Sequence, residues 1–243
     1  MFPYRDENET VRTPYVTFAL IGLCVLAWVL VQGAGSAQAV AESVCNYGLI
    51  AGELTGGAAA GSGIPMGGST YCAVDNGPEY LSIFTSMFLH GGWMHLIGNL
   101  WFLWIFGNNV EDAMTRPRFV AFYLLSGIAA ALLQVLSNPA SPVPMIGASG
   151  AISGVMGGYL VLYPRVNVYV FIYLGYFSTT AAWPAWAMLL YWAALQLLGG
   201  FGAGEGGVAF WAHVGGFIGG VALVKLFTRR DHLLQHSAAH WHP

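Results

Sequence analysis

Few polar side chains interrupt the long apolar stretches of this sequence, and three groups of them have the residue types of a hydrolase site. Ser149 lies in a Gly-Ala-Ser-Gly tetrad, and His213 lies in a separate apolar stretch. His95 and Asn99 are four residues apart, which places them on one face of a helix. Serine and histidine can act as nucleophile and general base, while imidazole and amide N–H groups can stabilise an oxyanion.

The tetrad around Ser149 has two interpretations. Gly150, Gly154 and Gly158 recur every four residues, a spacing that allows close packing of membrane helices. Alternatively, Ser149 is a nucleophile at a helix N-terminus, where free N–H groups and the positive end of the helix dipole stabilise an oxyanion. The pattern alone leaves both interpretations open.

His213 lies early in the last apolar stretch of the chain. An ionisable side chain inside a membrane span needs a specific partner that offsets its desolvation. The pairs Gly215/Gly219 and Gly216/Gly220 allow this stretch to approach a neighbour closely, and the small-residue stretch after Ser149 is the obvious candidate.

The composition indicates a polytopic membrane protein. Of the 243 residues, 56% are hydrophobic and 8% are charged, whereas soluble domains average about 25% charged residues. The hydrophobicity excludes a disordered chain, and a net charge of −3 without a basic stripe argues against a nucleic-acid partner. No CxxC or HExxH spacing is present, so the sequence predicts no metal site and no cofactor.

Six apolar segments predict six transmembrane helices. They cover roughly 14–32, 93–109, 118–137, 148–163, 183–199 and 208–227. A helix needs about 20 residues to span the membrane, so the segment 148–163 is short. The segment 14–32 is longer than the roughly 7–15 apolar residues of a signal-peptide core, which disfavours a cleaved signal peptide. The apolar stretch 168–180 is too short to span as a helix, and its β-branched and aromatic residues favour an interfacial loop or hairpin.

Basic residues fix the predicted orientation. With six spans, all eight Lys and Arg residues lie on the side of the N-terminus, and the opposite segments 33–92, 138–147 and 200–207 carry only acidic charges. The positive-inside rule therefore places both termini in the cytoplasm. The predicted organisation is a cytoplasmic segment 1–13, a membrane domain 14–228 with a long external loop 33–92, and a cytoplasmic His-rich tail 229–243. We expect little fixed structure in the Gly/Ala/Ser-rich part of the loop, 56–69.

This topology brings Ser149, His213, His95 and Asn99 to a similar depth, just below the outer surface. No acidic residue lies at that depth inside the spans, so a serine hydrolase here uses a Ser–His dyad whose imidazole is oriented by burial. A small-solute transporter is less favoured, because the polar sites lie toward one face and the two halves show no repeat.

Together these motifs resemble the rhomboid family of intramembrane serine proteases, in its bacterial six-span form. The resemblance covers most of the chain and rests on three motifs: His90-x4-His95-x3-Asn99, Gly147-Ala148-Ser149-Gly150 and Ala212-His213-x-Gly-Gly. It implies an all-α, six-transmembrane-helix rhomboid-like bundle in the plasma (inner) membrane, with the active site open to the external or periplasmic side. It also implies cleavage of membrane-protein substrates in or near their transmembrane segments, without a cofactor.

The resemblance implies roles for individual residues. Ser149 would be the nucleophile, His213 the general base, and His95, Asn99 and the Ser149 N–H the oxyanion hole. The supporting residues would be His90 near the active-site loop, Gly147 and Gly150 beside the serine, Glu111 on the cytoplasmic side, and Tyr159 packed against His213. Many relatives carry a Trp-Arg pair where this chain has Leu81-Ser82, so that pair's role is not carried over. The alternative is a rhomboid-like client-binding or chaperone protein without catalysis, although such proteins typically lose the Ser or the His.

Three further features of the sequence carry predictions. Cys45 and Cys72 in the external loop either form a disulfide, if that face is oxidising, or remain two buried thiols. We expect substrate to enter laterally past the span 183–199, with the Gly-rich segment 200–207 as a hinge. The tail has the spacing to bind a metal, but a solvated tail is favoured; its histidines are His232, His236, His240 and His242.

Overall fold

The structure, a computed structural model, describes residues 2–67, 70–75, 77–173, 175, 177–202 and 208–229. This part of the chain forms a helical bundle with three small antiparallel sheets. The helices are α1 (Tyr15–Leu26), α2 (Ala37–Tyr47), α3 (Ala51–Thr55), α4 (Ser82–Thr85), α5 (Trp93–Asp112), α6 (Arg116–Ser137), α7 (Ser149–Leu162), α8 (Ala185–Gly202) and α9 (Phe210–Phe227). The strands are β1 (Phe2–Asp6), β2 (Leu49–Ile50), β3 (Gly63–Gly67), β4 (Thr70–Ala73), β5 (Pro144–Met145), β6 (Asn167–Tyr173) and β7 (Ser178–Pro184).

Each of the six predicted apolar segments overlaps one helix: α1, α5, α6, α7, α8 and α9. A π-helical segment, Ala27–Val31, continues α1. Within the described residues, three helices, α6, α8 and α9, are long and apolar enough to cross a membrane, and α1 with its extension and α7 are shorter apolar helices. These helices are those of an integral membrane protein.

The sheets correct the all-α prediction. They have the strand orders β1-β6-β7, β2-β5 and β3-β4. Of the loop and the hairpin that the sequence allowed for 168–180, the structure has the hairpin, β6–β7. Val168 and Val170 are buried while Phe171 is exposed, as expected for alternating faces. Strand β1 adds to this hairpin by antiparallel pairing with β6, which the sequence pattern did not indicate.

The expectation of little fixed structure in 56–69 is wrong for its described part. Strand β3 pairs with β4, and a disulfide joins Cys72 of β4 to Cys45 of α2, with their Cα atoms 5.3 Å apart. A Cβ on Gly63 would lie only 1.8 Å from the Cys72 backbone oxygen. Here a glycine permits close approach of two strands instead of supplying flexibility.

One end of the bundle gathers segments that are distant in sequence. Met114 forms a β-bridge with Thr228, and the Arg229 N–H donates to the Ala113 oxygen at 3.0 Å. Sheet β1-β6-β7 lies at this end, since Tyr159 near the end of α7 donates a hydrogen bond to Asp6 of β1. The N-terminus, the α5–α6 turn, the segment after α7 and the end of α9 therefore meet on one side.

Glu111, predicted as a structural acidic residue, caps the N-terminus of α1. Its carboxylate accepts hydrogen bonds from the Val16 N–H at 2.9 Å, the Thr17 N–H at 2.7 Å and the Thr17 hydroxyl at 2.8 Å. These backbone donors belong to the first turn of α1, where they have no partner within the helix. A negative charge also interacts favourably with the positive end of the helix dipole.

We expect Glu111→Ala to destabilise the fold by about 2–3 kcal/mol, because it removes this cap and leaves buried N–H groups without an acceptor. The measurement is the midpoint of thermal unfolding in detergent micelles. Glu42→Ala is the control, because Glu42 is exposed and accepts from Gln38 on its own helix. Equal shifts for the two variants would contradict the capping role.

Glycines set the distance between α7 and α9. A Cβ on Gly216 would lie 1.9 Å from the Gly150 oxygen, and one on Gly220 would lie 1.9 Å from the Gly154 oxygen. Both are backbone atoms, so no side-chain adjustment can relieve the overlap. The predicted close approach of the two small-residue stretches is confirmed, and it brings the start of α7 against the start of α9.

The other glycine pair of α9 faces a different helix. A Cβ on Gly215 would lie 2.7 Å from the Ala129 oxygen of α6, and one on Gly219 would lie 2.7 Å from the Ala129 Cβ. Helix α9 therefore lies against α7 with one glycine pair and against α6 with the other. This fixes α9 on two sides.

We expect Gly216→Ala to cost about 1–3 kcal/mol or more, because the added Cβ forces α7 and α9 apart. Gly22→Ala in α1 is the matched control. Its Cβ would meet nothing within 4 Å, and alanine is favoured over glycine in a helix by about 0.5–1 kcal/mol. Thermal unfolding should therefore shift in opposite directions, and a shared direction would contradict this packing.

Candidate active site

Ser149 and His213 are in hydrogen-bond contact. Ser149 is the first residue of α7, and His213 lies in the first turn of α9. The distance between Ser149 Oγ and His213 Nε2 is 2.8 Å, and both side chains are half-buried. A hydroxyl that is hydrogen-bonded to an imidazole nitrogen can transfer its proton to that nitrogen while the hydroxyl oxygen attacks an electrophile.

Helix α8 supplies two partners of the His213 ring. Its Nδ1 atom lies 2.8 Å from Gln196 Oε1, and its ring lies against Trp192 with the centroids 5.9 Å apart. The expectation that burial alone orients the imidazole is therefore wrong in the structure. A signal was present in the sequence, because Gln196 is an amide in the otherwise apolar segment 183–199.

The tautomer of His95 follows from its backbone contact. The Gly91 N–H donates to His95 Nδ1 at 3.2 Å. A neutral imidazole that accepts at Nδ1 carries its proton on Nε2. Nε2 faces the turn before Ser149, since a Cβ on Gly147 would lie 2.7 Å from Nε2 and 3.5 Å from Ser149 Oγ. The His95 Nε2–H donor and the Ser149 hydroxyl therefore lie on either side of one small space.

Asn99 follows His95 by one turn of α5 and is 7% exposed. Its Nδ2 atom has no hydrogen-bond acceptor among the described residues. A buried donor without a partner costs free energy in the resting protein, so a ligand that supplies an acceptor recovers that cost. The first N–H groups of α7 add further donors, because a helix leaves them without an internal acceptor.

The turn before Ser149 is held from two sides. The Gly147 N–H donates to the Ser86 oxygen at 2.8 Å, and strand β5 pairs with β2 of the loop 33–92. Gly147 has φ +118°, a conformation that strongly favours glycine. Gly150 packs against Ala130 of α6, where an added Cβ would lie 2.6 Å from that side chain.

His90 lies buried behind His95, with the two rings in edge contact at 5.2 Å. Burial lowers the pKa of His90 to about 4, so its ring is neutral at neutral pH. Gln32 clamps the backbone here: the His90 N–H donates to Gln32 Oε1, and Gln32 Nε2 donates to the His90 oxygen, both at 2.8 Å. The sequence reasoning missed Gln32, which ends the first apolar segment.

Tyr159 does not pack against His213. It lies ten residues after Ser149 on α7, which is a rise of about 15 Å. Its hydroxyl donates to Asp6 at 2.5 Å, and its ring contacts Phe106 and Tyr163. The predicted role is wrong because a residue that far along the helix lies at the opposite end of the bundle.

The structure joins Cys45 and Cys72 in a disulfide. The four histidines of the tail and residues 203–207 of the predicted hinge lie outside the described residues. Helix α8 itself extends to Gly202.

A family model described as the Rhomboid domain matches residues 77–230, well over half of the chain. This match includes Ser149, His213, His95 and Asn99.

Individual proteins are similar over shorter regions. The chain is 31% identical to "Rhomboid protein 1, mitochondrial" of Saccharomyces cerevisiae over 145 residues, which are 58% of this chain and 40% of that protein. It is 34% identical to "Rhomboid-like protease 5" of Toxoplasma gondii over 154 residues, 61% of this chain and 16% of that one. It is 38% identical to "Rhomboid protease GluP" of Bacillus subtilis over 82 residues, 34% of this chain and 16% of that one. In each case the match spans less than half of the relative's length.

Proposed function

The chain belongs to the rhomboid family, and we propose that it is a serine-type endopeptidase that cleaves membrane proteins in or near their transmembrane segments. The observation that carries the proposal is the 2.8 Å contact between Ser149 Oγ and His213 Nε2 at the N-terminus of α7. Relatives named as proteases, from Toxoplasma gondii and Bacillus subtilis, support the class of reaction.

In this proposal His213 takes the Ser149 proton on Nε2 while Oγ attacks the carbonyl carbon of the scissile bond. The oxyanion of the tetrahedral intermediate accepts hydrogen bonds from His95 Nε2–H, Asn99 Nδ2–H and the Ser149 N–H. His213 then donates its proton to the departing amine nitrogen, which leaves an acyl ester on Ser149. Water, deprotonated by the same imidazole, hydrolyses the ester. No metal or cofactor takes part.

We further propose that the domain 14–228 crosses the membrane six times. The N-terminal segment and the end of α9 lie at the same end of the bundle, which supports an even number of crossings. In this proposal the end of the bundle with the positive charges lies in the cytoplasm, and the loop 33–92 lies outside, where a disulfide is stable; the positive-inside rule supports this orientation. In a plasma (inner) membrane, the active site at Ser149 would then be open to the external side.

Substrate access in this proposal is lateral, from the lipid past α8. A helical peptide bond is shielded by its own turn, so the substrate segment must unwind before Ser149 can reach it. The outer half of α8 offers the route, because the buried residues of α8 all lie in its first two turns: Ala185, Met188 and Leu189.

The test is cleavage of a single-span reporter protein by the purified protein in liposomes. The masses of the two products should identify a cut within or beside the reporter's membrane segment. Capture of the reporter without any cleavage, across several reporter sequences, would favour the client-binding alternative and overturn the protease proposal.

A further inference from the structure

The His213 ring, the base of the proposed dyad, has a second hydrogen-bond partner besides Ser149. Gln196 Oε1 lies 2.8 Å from His213 Nδ1, on the opposite side of the ring from Ser149. An imidazole that accepts a proton at Nε2 must carry its other proton on Nδ1, and that N–H needs an acceptor. In the described part of the chain, the side-chain acceptor at this distance is the Gln196 amide oxygen.

We propose that Gln196 is a positioning residue: its amide oxygen accepts the Nδ1–H of His213 and holds the ring in the tautomer whose Nε2 lone pair faces Ser149. The proposal rests on the proposed protease function and names a residue that acts through His213. A carboxylate in this place would also stabilise the imidazolium by charge. The Gln196 amide instead orients the ring with an uncharged acceptor. An uncharged group suits a site below the outer surface of a membrane, where burying an unpaired charge costs free energy.

Trp192 completes the support from the same helix. It precedes Gln196 by one turn of α8, so both side chains lie on one face. Its ring contacts the His213 ring at 5.9 Å and the Phe217 ring, one turn further along α9, at 6.0 Å. The imidazole is therefore bounded by Ser149 on α7 and by two residues of α8.

Because Gln196 lies on α8, movement of this helix during substrate entry would change the orientation of His213. Helix α8 reaches α9 through Gly199, whose added Cβ would lie 2.5 Å from the Phe210 ring, and beyond Leu189 none of its described residues is buried. A displacement of this outer half carries Gln196 and Trp192 away from His213. The base is then oriented when α8 is packed against α9 and loses its orientation when α8 moves outward.

The test compares Gln196→Met with Gln196→Glu in the purified full chain, using the single-span reporter in liposomes. Methionine matches glutamine in length but lacks a strong acceptor, so kcat should fall about 10- to 100-fold. KM should stay within about two-fold, because Gln196 does not touch substrate. Leu23→Met, at an exposed leucine of α1 outside the proposed entry route, is the matched control and should leave kcat unchanged.

Gln196→Glu restores an acceptor and should therefore restore cleavage, with one measurable difference. A carboxylate beside the ring favours its protonated form, so the acid limb of the pH–rate profile should move to higher pH by about one unit or more. Among the described residues, the other titratable side chain with an electrostatic effect on His213 is His95 of α5, which is unchanged in both variants. If Gln196 served helix packing only, with its amide away from the His213 ring, the position of this limb would not change.

Parent-like kcat in Gln196→Met would overturn the proposal, as would an unshifted pH profile in Gln196→Glu. If Gln196→Met proves unfolded in a thermal unfolding experiment, the profile of Gln196→Glu decides alone. Failure of the parent itself to cut any reporter would overturn the protease function and this proposal together. Failure of the Gln196 variants to differ from an active parent would overturn this proposal alone.

Discussion

Replacing Ser149 by alanine is expected to abolish cleavage of a single-span reporter, with kcat falling by at least about ten-thousand-fold. The substitution removes Oγ, which is the atom that bonds to the substrate carbon in the proposed reaction. The oxyanion donors and the substrate path remain, so substrate binding should persist. Cleavage of the reporter in liposomes and measurement of its retention on the variant would separate these two effects.

His213→Ala should cost about as much as Ser149→Ala, and the double variant should cost no more than either one. The reason is that the hydroxyl at 2.8 Å from Nε2 is a weak nucleophile until the imidazole takes its proton. Ser178→Ala, an exposed serine of β7, is the control and should cut at the parent rate. Additive losses in the double variant would contradict the interpretation of the pair as one unit.

Gly147→Ala is expected to lower kcat by about a hundred- to a thousand-fold, the cost of losing one oxyanion donor, or by more. The added Cβ would lie 2.7 Å from His95 Nε2 and 3.5 Å from Ser149 Oγ, in the space where the oxyanion would form. In addition, φ +118° is strained for alanine, so the turn that presents Ser149 would shift. The loss should appear in kcat more than in KM, because the interaction strengthens in the transition state.

The matched control for Gly147→Ala is Gly92→Ala. Gly92 precedes α5, close to the same site, but its added Cβ would meet nothing within 4 Å and its backbone is extended. This variant should keep parent activity. If the two alanine variants were equally active, the space between His95 and Ser149 would not be the oxyanion site.

The sequence was sufficient to predict the helices and the residues that meet at the site. Long apolar segments predict helices at the right positions, and the charge count predicts that Ser149 and His213 start helices that run the same way. The glycine spacings then predict that these two helices touch, which the overlaps at Gly216 and Gly220 confirm. The small-residue and the nucleophile interpretations of the tetrad are both compatible with the structure, because packing uses the glycines and leaves the Ser149 hydroxyl free for His213.

Other features could not be predicted because they depend on tertiary contacts. Strand β1 forms by pairing with β6, far along the chain, and its sequence alone carries no strand pattern. Gln196 reaches His213 only because α8 packs on α9, and the sequence does not indicate which face of α8 is turned toward α9. The role of Tyr159 came from the family resemblance and not from helix geometry, and Tyr159 lies almost three turns of α7 away from Ser149.

Covalent labelling by a fluorophosphonate probe, located by mass spectrometry of the purified protein in micelles, tests directly whether Ser149 is the nucleophile. Such a probe reacts with a serine whose hydroxyl is activated by a neighbouring base. We expect a single adduct on Ser149 in the parent, and none in His213→Ala or Ser149→Ala. Labelling of a different serine, or equal labelling of Ser149 after His213 is removed, would contradict it.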